Sequence, residues 1–143
     1  MVLPNLSFDV LHDAKLSDGY FANCDEERVR ESERRYKQFL ILARKYPEAA
    51  LTPATDIDEV WHMHMLRPVA YQKDCYSLFG EILDHDGGFG KASDQQLREL
   101  ETAFTKTSEL WEKEYGEPYV TSVASGKKKC VIACRKACKK AMQ

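Results

Sequence analysis

The sequence predicts an all-α fold, a small bundle of about five helices with a short basic, Cys-bearing C-terminal helix or tail. Three observations carry that expectation. Apolar residues recur three and four apart in successive stretches, which is the helical period. Residues that start and stop helices bracket those stretches. No stretch shows a convincing strand period, and no internal repeat is visible.

Residues 5–16, with Leu6, Val10 and Leu11, read as a short helix that breaks by Gly19. From Asp25 the pattern is plainly helical. Asp25 suits the N-cap, Glu26 and Glu27 suit the positive end of the helix dipole, and Lys45 sits near the negative end. Val29, Tyr36, Phe39, Leu40, Leu42 and Ala43 recur at helical spacing, and Pro47 stops the run. Thr55 or Asp56 is expected to cap the next helix, with Asp58 or Glu59 completing a capping box. This helix passes through Trp61 to about Leu66. Pro68 fits the first turn of a further helix, whose stripe is Tyr71, Cys75, Leu78 and Phe79 and whose end is Gly80 or the region after Leu83. Residues 84–90 hold three glycines in their last four and read as loop. Ser93 caps a long helix to about Tyr115, with Leu97, Leu100, Phe104, Leu110 and Trp111 inward, Gly116 as C-cap and Pro118 as stop.

At 143 residues the chain has room for one domain. A hydrophobic fraction of 43% is enough for a core. No apolar run approaches the roughly 20 residues that span a bilayer, and the N-terminus lacks a secretory pattern, so the cytoplasm is expected. The net charge of −2 hides an asymmetry. Seven basic residues and no acidic one lie between Lys127 and Gln143, leaving 14 basic against 23 acidic residues, about −9, on residues 1–126. The domain is accordingly expected over residues 1–119, with linker and tail over 120–143.

Five cysteines, three of them in the tail, fit a secreted disulfide framework poorly. Cys130, Cys134 and Cys138 are spaced by four, so a helix would align them in one stripe. Four roles compete: soft-metal binding by thiolates, acylation beside a basic patch at a membrane surface, phosphate contacts with nucleic acid through Lys127–Lys140, and modification by other enzymes. The plain alternative is a solvated tail. The absence of interleaved aromatic residues weighs against nucleic acid.

Chemistry concentrates in two segments. In Asp56-Ile57-Asp58-Glu59-Val60-Trp61-His62-Met63-His64, each residue turns the helix by about 100°. Asp58 and His62 therefore share a face. His62 and His64 point in nearly opposite directions and cannot chelate one ion on an undistorted helix. His64 falls on the apolar side with Ile57, Val60 and Trp61, either as a hydrogen-bonded core histidine or as a ligand. The Asp58/His62 pair is otherwise a surface ion pair. The second segment, Leu83-Asp84-His85-Asp86, sets an imidazole between two carboxylates on a loop. Carboxylates beside a metal-bound histidine orient its ring. The alternative is a hydrophilic turn.

The run from Asp56 to Cys75, D-I-D-E-V-W-H-M-H-M-L-R-P-V-A-Y-Q-K-D-C, and F-G-E-I-L-D-H-D from Phe79 to Asp86 resemble the glycine-rich domain-containing protein-like family. The stretch from Trp111 to Tyr119 resembles the end of that domain, so the resemblance covers about residues 5–119. Gly87 stands where the family pattern often has a second aspartate. The resemblance implies an all-helical domain without a settled activity; plant members are linked with development, stress responses and a suggested RNA-binding role. It also places Asp58, His62, His64, Tyr71, Asp74, Cys75, Asp84, His85 and Asp86 on motif positions. Two His/Asp motifs in one small domain suggest a shared site. His62, His85 and one carboxylate would give a divalent metal (zinc, iron or manganese) three ligands and leave a position open. The expected function is a metal- or ligand-binding helical domain that acts through a protein partner. A metal-dependent hydrolase or oxygenase, and a membrane or polyanion adaptor acting through the tail, are the alternatives.

Overall fold

The computed structural model describes residues 1–88 and 90–120; the tail, with Cys130, Cys134 and Cys138, lies outside them. Five helices run in order: α1 Val10–Leu16, α2 Glu26–Lys45, α3 Thr55–Met65, α4 Pro68–Phe79 and α5 Asp94–Tyr115. The described residues form no strand. The all-α expectation therefore holds. No helix among them is long and apolar enough to cross a membrane.

Local signals set most of the ends. Asp9 caps α1, accepting from the His12 N–H, so the helix starts later than the expected residue 5. Asp25 caps α2 and Ser93 caps α5 in the same manner. Pro68 occupies the first turn of α4, and Gly80 and Gly116 end α4 and α5 in the left-handed region. The expected cap on α3 does not form. The N-cap is Ala54, which offers no side-chain oxygen, and Thr55 and Asp56 are both buried inside the first turn. Asp56 is drawn into an ion pair instead, and Asp58 turns toward a histidine.

Helix α2 packs against α1, α3 and α4, and α3 also touches α1 and α4. Tyr36, Phe39, Leu42, Ile57, Val60 and Trp61 are fully buried where these helices meet. Helix α5 joins α2 partly through long side chains: Tyr115 donates to the Gln38 carbonyl, and Lys45 and Tyr46 both reach Glu114. Leu97, expected inward, is exposed. The preceding loop covers Leu100 instead. Gly90 permits that contact, since a Cβ there would sit 2.7 Å from Leu100 Cδ2.

One ion pair lies inside this core. Arg35 Nε donates to Asp56 Oδ2 at 2.7 Å, and its Nη2 donates to the Tyr119 carbonyl at 2.7 Å. The guanidinium also lies over the rings of Trp111 and Tyr119, 5.1 and 5.7 Å from their centroids. Both charged side chains are almost wholly buried. The pair therefore joins α2, the start of α3, α5 and the segment after α5.

Removing one partner would strand the other charge in a place where water cannot reach it. Arg35→Ala is expected to lower unfolding stability by about 3–5 kcal/mol. Arg34→Ala, which breaks the partly exposed pairs with Glu31 and Glu117, is expected to cost under about 1 kcal/mol. Urea denaturation of the two variants beside the parent protein measures the contrast, and equal losses would contradict it.

Candidate metal centre

Helix α3 presents two polar sites on opposite faces. On one face, Asp58 and His62 are one turn apart, with the His62 Nε2 3.3 Å from Asp58 Oδ1. His85 arrives from the loop after α4 and places its Nε2 2.7 Å from the same oxygen. The rings of His62 and His85 have centroids 4.8 Å apart. The edge-on indole of Trp61, 4.3 Å from His85 between centroids, holds that ring in place. Each of the three residues can offer one ligand atom such that all three atoms lie within 4.8 Å of one another.

The spacing suits a small cation. Ligands on a tetrahedral zinc at about 2.0–2.1 Å stand roughly 3.3 Å from each other. The Asp58–His62 separation already has that value, and the Asp58–His85 separation is shorter by an amount that a ring shift absorbs. The side chains of Asp58 and His85 are 1% and 5% exposed, whereas that of His62 is 40% exposed. Two donors therefore form a protected floor and the third stands at the solvent edge. The site is open on that side.

The remaining candidates fall elsewhere. His64 is buried on the other face of α3, in contact with Tyr36 and Asp74. Asp74 accepts from Ser7 through both its N–H, at 2.8 Å, and its hydroxyl, at 2.5 Å. It also takes the Nε2 proton of His64 at 2.7 Å, which leaves Nδ1 to accept from the Tyr36 hydroxyl at 2.8 Å. Phe8 stacks on the same imidazole. Burial holds His64 below its usual imidazole value, against the opposing pull of Asp74. Burial also lifts the Tyr36 hydroxyl well above the phenol range. This chain of groups fastens the N-terminal segment to α4. Asp84 and Asp86 are exposed, and Asp86 accepts from the Gly88 N–H in a turn. Cys75 is buried in α4. The tail thiols lie outside the described residues.

Sequence reasoning did not single out Arg35 or Ser7. Arg35 carried a usable signal, a cation on the same α2 face as Ser32, Phe39 and Leu42. Ser7 carried none, because its partner is 67 residues away.

Residues 15–74 match the glycine-rich domain-containing protein-like family. That span holds Asp58, His62 and His64 and stops short of His85. Over 96 residues the chain is 38% identical to glycine-rich domain-containing protein 1 of Arabidopsis thaliana, an alignment that covers 64% of this chain and 11% of the plant protein. Over 95 residues it is 33% identical to glycine-rich domain-containing protein 2 of the same plant, covering 64% of this chain and 12% of that protein. The chain thus spans about a tenth of the length of these relatives. No solved structure matches it.

The two faces of α3 should respond differently to mutation. His64→Ala is expected to destabilise the fold by about 3–5 kcal/mol, by leaving a cavity and orphaning two buried polar partners. His62→Ala is expected to cost under about 1 kcal/mol. The unfolded chain gains a proton at His64 as pH falls through about 6.5, while the folded chain resists it. The stability that neutral His64 contributes is therefore full above that pH and lost below it. Urea midpoints measured from pH 8 down to pH 5 test this; in His64→Gln that part of the decline should be gone.

Proposed function

The chain belongs to the glycine-rich domain-containing protein-like family through residues 15–74, and from that premise we propose that its domain binds a divalent metal and acts as an interaction module. The observation that carries the reading is the convergence of Asp58, His62 and His85 from a helix and a loop 27 residues apart in sequence. Two imidazoles and a carboxylate are borderline-to-hard donors, which suit zinc, iron(II) or manganese. The metal would tie the loop after α4 to α3, adding to the hydrogen bond between His85 and Asp58 and to the packing of His85 on Trp61. Its chemistry when bound is that of a Lewis acid.

The interaction part of the reading rests on exposed apolar groups. Leu66 and Val69 are 82% and 80% exposed where α3 turns into α4. Tyr76 lies seven residues after Val69, on the same face of α4, and is also exposed. Clustered apolar side chains at a surface favour contact with another protein. A second reading, a metal-dependent hydrolase, draws on the open side at His62, where a metal-bound water would be activated.

Metal content decides the reading. Full-length protein purified without chelator and without a histidine tag is expected to carry one equivalent of metal by mass spectrometry. A His62→Ala/His85→Ala double variant should fold and carry none. Folded parent protein that stays metal-free after reconstitution under reducing conditions would sink the proposal.

A further inference from the structure

His85 reaches the candidate centre from a loop, so its place depends on what fastens that loop to α3. One tie is the hydrogen bond between His85 Nε2 and Asp58 Oδ1. A ring nitrogen that binds a metal cannot also donate a proton, so this tie ends when His85 Nε2 becomes a ligand. A second tie lies beneath the site and is not consumed. The Tyr71 hydroxyl, on α4, accepts from Trp61 Nε1 at 3.0 Å and donates to the Leu83 carbonyl. Trp61 stands next to His62 on α3, and Leu83 stands two residues before His85. One oxygen atom thus links the helix that carries two ligands to the loop that carries the third.

Trp61, Tyr71 and Leu83 are all buried, so water does not compete for these groups. The phenol has one proton to give, which goes to Leu83, and a lone pair that takes the indole N–H. Burial raises the hydroxyl above the usual phenol range, which keeps that proton in place. The indole held in this way is the one that meets the His85 ring edge-on, 4.3 Å between centroids.

We propose that Tyr71 is a positioning residue of the metal centre, its hydroxyl holding His85 in register with Asp58 and His62. This inference rests on the metal reading above. Two residues of chain span at most about 7 Å, so a fixed Leu83 leaves His85 little room to wander. Metal–ligand distances tolerate errors of only about 0.2 Å. Groups that orient a ligand from behind are typically worth about 10–100-fold in metal affinity. The Tyr36 hydroxyl supplies the contrast. It is also buried and hydrogen-bonded, but its bond goes to His64 on the opposite face of α3.

Cobalt(II) is the probe, titrated into metal-free, full-length parent protein, Tyr71→Phe and Tyr36→Phe. Phenylalanine at position 71 keeps the ring that packs edge-on against His64, 5.0 Å between centroids, and removes only the oxygen. Tyr71→Phe should bind one equivalent about 10–100-fold more weakly than the parent. Tyr36→Phe should bind as the parent does, although it too loses a buried hydrogen bond. Equal affinity of Tyr71→Phe and parent would overturn the inference. So would equal weakening in both variants, which would mark a general loss of stability. Folded parent protein that binds no cobalt would remove the metal reading itself, a distinct failure. A second measurement needs no variant, because coupling between the metal and the tie is reciprocal. Zinc added to the parent should slow hydrogen exchange at the Trp61 indole N–H by at least about tenfold, beyond any slowing at the Trp111 indole N–H in α5. Equal slowing at the two indoles, or none at Trp61 once zinc is bound, would overturn the inference even if Tyr71→Phe failed to fold.

Discussion

The ion pair between Arg35 and Asp56 decides where α3 begins and how it is turned. A carboxylate buried at a helix start must be matched by a cation of fixed geometry. Arg35 supplies it through Nε and also donates from Nη2 to the Tyr119 carbonyl. With Asp56 held against α2, helical periodicity leaves no freedom to the residues that follow. Asp58 and His62 must face the loop after α4, and His64 must face Tyr36 and Asp74. The candidate metal centre is thus oriented by a contact that belongs to the core.

Three buried acids in this small fold each answer to a different kind of donor. Asp56 meets a buried guanidinium, Asp58 meets imidazole near the surface, and Asp74 meets a buried imidazole and the exposed Ser7. Of the three, Asp58 has an imidazole partner, His62, whose side chain is 40% exposed. A buried acid whose guanidinium or imidazole partner is itself buried, as at Asp56 and Asp74, holds structure. A buried acid with an open side can exchange a hydrogen bond for a metal bond. That difference in access separates His62 from His64, which stand two residues apart and look alike on paper.

Much of this was legible beforehand. The caps Asp25 and Ser93, the first-turn proline Pro68 and the glycines Gly80 and Gly116 act through neighbours within a few residues, so their effect follows from spacing. The opposite directions of His62 and His64 followed from 100° per residue. The misreadings have one cause. Thr55 and Asp56 have the composition of a cap, yet Arg35 lies 21 residues back and claims Asp56 for the core. Leu97 has the right phase to be inward, but the loop before α5 closes on Leu100 and leaves Leu97 exposed.

The sequence alone determined the helices, their approximate ends and the opposite faces that His62 and His64 occupy, because these depend on local backbone geometry and on periodicity. The tertiary structure decided that His85 meets Asp58 and that Ser7 closes on Asp74. It also decided that Arg35 is buried. Each of these contacts joins residues 21 to 67 positions apart. Such distances are set by how helices pack, and no periodicity within one helix encodes them.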